Sequence, residues 1–518
     1  MIRSFLTMAS GTLASRLLGF VRDSLMAALL GTGPVADAFL AAFQLVNVIR
    51  RLLSEGALNA ALVPAWLRLR QNEGTAAAAA FAGRVLATFS AGVIATAALL
   101  ALLMPVVMTV LAPGFAGEET LTIAVDDARL MLPYLAFAGP STVLLALASA
   151  HGRFALTAFS PLLFNLALIA ATIALLVVPN EPAFAASMLA ATIGVAGLLQ
   201  LLILVLRRGR NDAKPLRISL DPELRAFIGK ALPGMIASAA PQLLAVAGAI
   251  IASAQSSAVS WLYFANRLIE LPLGIVGVAM GTVLVPELTR AVHAGDKTAI
   301  AHAQSRGIEL TIGLALPATL GLMLLSHPIV ALLFEHGAFT PEDTAATSGI
   351  LMWLAAALPA QVLTKALAPG FFARNDTQTP LRATLIGSGA AIALGFLLGQ
   401  VLGAGGIAAG LALGAWANTL VLIRRGAARF GFAIQPASRR RLPRIVLAAI
   451  IMGGALWLAT TVTGAHPPQH VLSRAIVLLA LIATAVAVYG VLLRVLGVIG
   501  WRETIRAIRR KPPRDLHV

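Results

Sequence analysis

Three charged residues lie inside the first hydrophobic stretch of this chain. Arg16, Arg22 and Asp23 interrupt an otherwise apolar segment that reads S-R-L-L-G-F-V-R-D at positions 15–23. A charged side chain at membrane depth costs about 2.5 to 3.5 kcal/mol on insertion scales, so it usually faces a polar cavity or a partner charge. Arginine suits phosphate because its planar guanidinium donates two parallel hydrogen bonds. The segment therefore indicates a cavity for an anionic ligand.

Other apolar segments also carry charged residues. Arg51 and Glu55 are four residues apart and Arg267 and Glu270 are three apart, so each pair is within pairing range on one helix. The basic residues outnumber the acidic ones, which favours an anionic ligand, although any single charge could simply hold helices together. The basic set is Arg16, Arg22, Arg50, Arg51, Arg267 and Lys365, and the acidic set is Asp23, Asp37, Glu55 and Glu270.

The spacing within the first segment sets a geometric condition. Arg16, Gly19 and Asp23 share one helix face, whereas Arg22 lies about 240° from Arg16 around a straight helix. Both arginines reach one cavity only if the helix bends. We predict a hinge at Gly19, since glycine is a common bend point.

The composition places these charges in a membrane protein. The chain has 518 residues, of which 59% are hydrophobic and 12% charged, and its mean hydropathy is +0.88. Soluble domains carry about 25% charged residues, so a large soluble helical protein is excluded. Cysteine is absent, which excludes disulfides, thiolate catalysis and cysteine-ligated metals.

The apolar runs predict an all-α polytopic membrane protein with about 14 transmembrane helices. Basic residues concentrate in alternate connections, and acidic residues such as Glu118, Asp126, Asp127 and Glu335 fall in the others. The positive-inside rule then places both termini in the cytoplasm and explains the net charge of +17 without nucleic acid. The predicted helices are 4–30, 35–60, 84–111, 128–150, 156–178, 184–206, 228–252, 258–285, 306–325, 346–369, 381–401, 407–423, 444–464 and 471–493.

The two halves of the chain carry matching motifs. V-P-x-x-x-R occurs at 63–68 and again at 285–290, and the arginine pairs Arg84 and Arg306, and Arg153 and Arg374, follow at nearly the same offset. We therefore predict two six-helix lobes related by a pseudo-twofold axis, an arrangement in which transporters place substrate between the repeats. Segments 64–83 and 286–305 are either interfacial helices or gate elements, or solvated loops. The predicted divisions are an N-lobe at 1–206, a C-lobe at 207–423, a cytoplasmic linker at 424–443, helices 13 and 14 at 444–495, and a basic tail at 496–518.

Five motifs together resemble the MurJ/MviN family of lipid II flippases, which belongs to the multidrug/oligosaccharidyl-lipid/polysaccharide exporter superfamily. The resemblance covers essentially the whole chain. The first and third motifs are the most specific, because charge-rich strings inside membrane helices rarely arise by chance. The motifs are S-R-L-L-G-F-V-R-D at 15–23, A-D-A-F at 36–39, N-V-I-R-R-L-L-S-E-G-A at 47–57, F-A-N-R-L-I-E-L-P at 264–272 and A-P-G-F-F-A-R-N-D-T-Q-T-P at 368–380.

The resemblance implies a transporter that is not an enzyme and that moves lipid II from the cytoplasmic to the periplasmic leaflet of the bacterial inner membrane. It implies alternating access, a central cationic cavity for the diphosphate and sugars, and a groove at helices 13 and 14 for the lipid tail. Gly248 replaces a polar residue of the sodium site found in some relatives, which leaves Asn375 and Asp376 as weak metal candidates. The residues carried over are Arg16, Arg22, Arg51, Arg267 and Lys365 for substrate, and Asp23, Asp37 and Glu270, joined here by Glu55, for charge pairing and gating.

The remaining expectations concern cofactors, energy coupling and partners. We expect no cofactor, coupling to the membrane potential or to a monovalent cation, and a monomeric transporter that contacts membrane lipids and, in one hypothesis, cell-wall synthesis proteins. The alternatives are an exporter of another lipid-linked oligosaccharide or of a drug, a membrane glycosyltransferase, and a scaffold of cell-wall synthesis. A drug exporter fits poorly, because a cationic drug would meet a positive cavity.

Overall fold

The protein is mainly helical in the part that the structure describes. That structure is a computed structural model, and it describes residues 2–54, 57–207, 213–280, 284–374, 376–432, 434–464 and 470–498. Glu55, Asn375 and the tail from residue 499 onward lie outside the described residues. The helices are α1 Ile2–Leu30, α2 Pro34–Ser54, α3 Ala57–Asn72, α4 Gly74–Leu111, α5 Glu119–Met131, α6 Pro133–Ala150, α7 Phe154–Val177, α8 Pro182–Arg207, α9 Pro222–Ala252, α10 Ala258–Ala279, α11 Val285–His293, α12 Lys297–Leu324, α13 Ser326–Phe334, α14 Pro341–Phe372, α15 Gln378–Phe430, α16 Pro436–Gly464 and α17 Val471–Val495.

The predicted all-α membrane class is confirmed. Within the described residues, nine helical stretches are long and apolar enough to cross a membrane. One of them, α15, contains a residue with non-helical backbone angles, Gly403, so it joins two helical segments across a kink. These segments correspond to the two predicted helices at 381–401 and 407–423. The total of fourteen spans stays a prediction.

Several boundaries differ from those predicted. The predicted helix 35–60 covers α2 and the start of α3, which continues to Asn72, and residues 55 and 56 between them lie outside the described residues. The predicted helix 128–150 is preceded by α5, so Asp126 and Asp127 lie on a helix and not in a loop. Charged residues are typical of loops, but α5 buries Asp127 completely and leaves Asp126 exposed. Polarity therefore marked one face of a helix.

The two connecting segments at 64–83 and 286–305 are mostly helical, so the solvated-loop alternative is wrong. The guanidinium of Arg68 donates from Nε to the Pro64 carbonyl at 3.3 Å. At the repeat position on α11, Arg290 donates from Nε to the Pro286 carbonyl at 3.2 Å. The repeated motif thus builds the same local contact twice, which supports the internal duplication.

The described chain forms two compact units. Unit 1 comprises 1–264, 333–344 and 399–407, and unit 2 comprises 265–332, 345–398 and 408–518. The short segment 333–344 begins with the last two residues of α13, in the second half of the sequence, yet it packs within unit 1. The boundaries predicted from sequence, at 206 and 423, stay predictions.

Unit 1 contains a buried apolar cluster where α3 packs on α4, and α4 also bears exposed apolar side chains. Leu62 and Trp66 of α3 pack with Phe81 and Val85 of α4 in one buried cluster. Farther along α4, an apolar stripe at spacing i, i+4, i+8 is left uncovered, with Leu102, Val106 and Val110 exposed by 76%, 63% and 65%. Exposed apolar surface of this kind is expected where a helix faces lipid tails.

Unit 2 contains a close approach of two small-residue stripes on α15. A Cβ added at Gly410 would collide with the backbone of Gly395, and one added at Gly414 would lie 2.5 Å from both the Ala391 Cβ and the Gly387 carbonyl oxygen. Gly410 and Gly414 are four residues apart, the small-xxx-small spacing that lets membrane helices pack backbone to backbone. The fold of α15 therefore depends on glycine at these positions.

We predict that Gly410→Ala lowers the thermal unfolding midpoint of the purified protein. The added methyl group forces the two segments of α15 apart, and overpacking of this kind costs about 1 to 3 kcal/mol. Gly389→Ala is the matched control, because nothing lies within 4 Å of a Cβ at that position. Equal midpoints for the two variants, measured in the same detergent, would contradict the packing argument.

Candidate functional site

The strongest candidate site in unit 1 is built around Arg22. This side chain is buried at 6% exposure, and Asp23 is fully buried beside it. The guanidinium donates to Asp23 Oδ1 from Nε at 2.9 Å and from Nη2 at 2.5 Å. Its remaining arm donates from Nη1 to Asn165 Oδ1 at 3.1 Å. Arg22 is thus held in a fixed orientation by groups from α1 and α7.

Aromatic rings complete the surroundings of Arg22. Its Cζ lies 5.2 Å from the centre of the Phe43 ring and 5.8 Å from that of Phe164. Tyr263 adds a hydroxyl that donates to Asp23 Oδ1 at 3.2 Å. Cation–π contacts of this kind stabilise a desolvated guanidinium by about 2 kcal/mol. The site therefore surrounds one guanidinium with hydrogen-bond partners and aromatic rings inside an apolar bundle.

Arg16 and Arg22 differ in their surroundings. Arg16 is exposed, whereas Arg22 and Gly19 are buried, and α1 continues as one helix through all three. Asn165 contacts α1 a second time, donating from Nδ2 to the Ser15 carbonyl at 3.0 Å. In a regular helix that carbonyl accepts from Gly19, and a side chain competing at such a point is one known cause of helix bending. The hinge at Gly19 stays a prediction.

Within the described part of the chain, Asp37 accepts hydrogen bonds from Ser260 and from no arginine. It is 1% exposed, and the Ser260 backbone N–H donates to its Oδ1 at 2.8 Å. The Ser260 hydroxyl donates to the same oxygen. Because α10 begins at Ala258, Asp37 satisfies a free N–H in the first turn of that helix, as a capping residue does. In this state Asp37 fixes the start of α10.

Unit 2 holds the second group of predicted site residues. Arg267 donates from Nη1 to Glu270 Oε2 at 2.7 Å, and the two side chains are 23% and 30% exposed. The predicted i, i+3 pair is therefore present on α10 and is partly open to solvent. Lys365 is exposed on α14, and a Cβ at Gly277 of α10 would lie 3.4 Å from its Nζ. Arg267 and Lys365 thus lie on neighbouring helices.

Asp376 is engaged as a helix cap and ion-pair partner. The Thr379 N–H donates to its Oδ1 at 3.0 Å, and Arg429 Nη1 lies 2.9 Å from its Oδ2. Burial raises the pKa of Asp376, but the hydrogen bonds from Thr379 and Arg429 outweigh it and hold the pKa below its usual value. Its oxygens are therefore occupied by donors, which weakens it as a candidate cation ligand.

Arg51 and Gly248, the other residues singled out in the sequence, have fewer described contacts. Arg51 is partly buried in the last turn of α2, and Gly248 is buried on α9. Among the described residues, no group of three His, Cys, Asp or Glu side chains is placed to hold a metal ion.

Sequence reasoning missed the uncharged partners of Arg22. Asn165 is the one amide in the apolar run L-L-F-N-L-A-L-I, and a lone polar residue in such a run was a usable signal. Phe43, Phe164 and Tyr263 gave no signal, because aromatic residues are common in membrane helices for packing alone.

Comparison with solved structures identifies the fold. A lipid II flippase MurJ in an inward closed conformation matches 97% of this chain and 100% of its own, with a TM-score of 0.79 and 21% sequence identity. An inward-facing multidrug resistance MATE family transporter of the MOP superfamily covers 83% of this chain and 95% of its own, with a TM-score of 0.65 and 14% identity. At these identities the likeness concerns the fold, which is that of the MOP transporters.

Sequence comparison then narrows the class to one family. The family model described as "Lipid II flippase MurJ" matches residues 26–478. A probable lipid II flippase MurJ of Rhizobium meliloti is 38% identical over 94% of this chain and 92% of its own length. Its counterpart from Rhizobium tropici is 35% identical over 99% and 97%. The chain belongs to the lipid II flippase MurJ family.

Proposed function

We propose that this chain carries lipid II, the undecaprenyl-diphosphate-linked peptidoglycan precursor, from the cytoplasmic to the periplasmic leaflet by alternating access through a central cationic cavity. The observation that carries the proposal is the environment of Arg22, a buried arginine oriented inside a membrane helix bundle of this family. A transporter that exposes such an arginine to one side of the membrane at a time offers a diphosphate two parallel, charge-assisted hydrogen bonds. These bonds are stronger than those that the diphosphate makes with water.

The geometry supports a role for each charge pair. In the unloaded state, Asp23 neutralises Arg22 and Glu270 neutralises Arg267, which keeps both arginines in place without substrate. The diphosphate then displaces these carboxylates, because two phosphate groups offer more acceptor oxygens than one carboxylate. Arg16, Arg51 and Lys365 add positive charge for the head group. No bond is made or broken, so the chain acts as a transporter and not as an enzyme.

The setting of the protein follows from its helices and charges. It is a multi-pass membrane protein, and we place it in the bacterial inner membrane with both termini in the cytoplasm, where its basic loops meet anionic lipid head groups. We propose that it works as a monomer without a cofactor. The membrane potential, worth about 2.3 kcal/mol per charge per 100 mV, or a monovalent cation then supplies the driving force.

A reconstituted translocation assay tests the function. The purified protein in liposomes is expected to move fluorescent lipid II between leaflets, and to leave a phosphatidylcholine analogue in place. Imposing a potential and a sodium or proton gradient one at a time identifies the driving force. Equal rates in empty liposomes and in proteoliposomes would reject the flippase function.

A further inference from the structure

A cluster of contacts within unit 1 joins helix ends that are far apart in sequence. It is made by the α1–α2 turn, the first turn of α10 and residues 333–344, and we call it the outer latch. Asp343, 8% exposed, is at its centre. It accepts from the Thr32 hydroxyl at 2.5 Å, from Trp261 Nε1 at 3.0 Å and from the Thr340 N–H at 2.9 Å. One carboxylate thus holds three segments.

Backbone contacts complete the outer latch. The Ala338 N–H donates to the Ala28 carbonyl at 2.8 Å, and a Cβ at Gly31 would lie 2.5 Å from the Ala338 carbonyl oxygen. Gly337 likewise leaves no room for a side chain against Ala28. Both glycines have positive φ values, 61° and 60°, so the close approach depends on glycine.

The helices that meet at the outer latch are those that bear the proposed diphosphate ligands. α1 carries Arg22, α10 carries Arg267 and α14 carries Lys365. Ser260, held by Asp37, and Arg267 are seven residues apart and share one face of α10, about 10 Å apart along its axis. A substrate bound at Arg267 would therefore act on the same helix whose first turn takes part in the latch.

We propose that Asp343 is a positioning residue that keeps the outward end of the substrate pathway closed, and that its hydrogen bonds to Thr32 and Trp261 break when the protein opens outward. The inference rests on the proposed function and on the orientation that the charge distribution indicates. Asp343 touches no substrate in this arrangement. It acts through the helices whose ends it joins.

The first test uses a labelling reporter that does not depend on transport. Ala258, at the start of α10, is fully buried, and the chain has no cysteine, so Ala258→Cys provides a single thiol. A membrane-impermeant maleimide applied from outside is expected to label this thiol about tenfold faster when Asp343→Asn, Thr32→Val or Trp261→Phe weakens the latch. Glu342→Gln, one residue away and exposed, is the matched control and leaves the rate unchanged. Equal rates in all variants would overturn the proposal.

The second test locks the latch. The hydrogen bond between Ala338 and Ala28 brings their Cα atoms toward the separation of about 4.4 to 6.8 Å that a disulfide spans. The double variant Ala28→Cys/Ala338→Cys is expected to stop translocating lipid II when oxidised and to recover with reductant. If the oxidised protein translocated lipid II as fast as the reduced protein does, the proposal would be overturned. A reduced protein and a parent protein that both fail to translocate would instead reject the proposed function, while the labelling test would still decide the latch.

Discussion

Arg22→Ala is expected to abolish complementation of a flippase-depleted bacterium, while the variant still inserts into the membrane. The change removes the cation that the proposed diphosphate site requires and that Asp23, Asn165 and two aromatic rings hold in place. Truncating one partner of a buried hydrogen-bonded charge pair costs about 2 to 5 kcal/mol, so the translocation rate falls at least about thirtyfold. Growth of the depleted strain measures complementation, and the liposome assay measures the translocation rate.

Unfolding is the competing explanation for that loss, and a second variant separates the two. Arg22→Ala removes the guanidinium that bonds Asp23 Oδ1, and breaking a buried ion pair in this way destabilises the fold by about 3 to 5 kcal/mol. Arg22→Ala/Asp23→Asn removes the carboxylate charge as well, so we expect its folding to recover and its transport to remain lost. Arg70→Ala is the matched control, since Arg70 is exposed and lies over Trp66. Growth of both Arg22 variants at the rate of the Arg70 control would reject the site.

Much of this architecture could be predicted from hydrophobic runs and charge. The position of a break between 401 and 407 is one example, because the glycines there disfavour a continuous helix, and the structure places the non-helical residue at Gly403. The start of α5 at Glu119 was not predicted, because the acidic residues Asp126 and Asp127 are as typical of a loop as of one face of a helix. Helix boundaries are the least certain part of a prediction from one sequence.

The charged residues of the candidate site could be predicted from the sequence, whereas the residues that they contact on other helices could not. The i, i+3 spacing of Arg267 and Glu270 predicted their ion pair, because both residues lie on one helix. Asp37 was expected to pair with an arginine, and its contact is instead with Ser260, which lies 223 positions away in sequence. Spacing along one helix determines local pairs, whereas contacts between helices depend on packing that one sequence does not encode as a pattern.

The Arg267 site offers a test of whether shape or charge binds the diphosphate. We predict that Arg267→Lys weakens lipid II binding about tenfold and Arg267→Ala about a hundredfold. Lysine keeps the charge but loses the planar pair of donors that matches phosphate. Arg290→Ala is the control, because Arg290 is exposed and bonds its own helix. Binding measured on the purified protein would reject the assignment if Arg267→Ala matched the control.

Glu270 then tests the order of events in transport. If Glu270 holds Arg267 between cycles, as their 2.7 Å contact in this state suggests, substrate and carboxylate compete for one guanidinium. Glu270→Gln weakens the competitor, so lipid II is expected to bind about fivefold more tightly and to be translocated more slowly, because its release no longer gains from re-forming the ion pair. A purely structural ion pair would give weaker binding together with slower transport. Opposite changes in affinity and rate are therefore the result that identifies Glu270 as the counter-ion that resets the site.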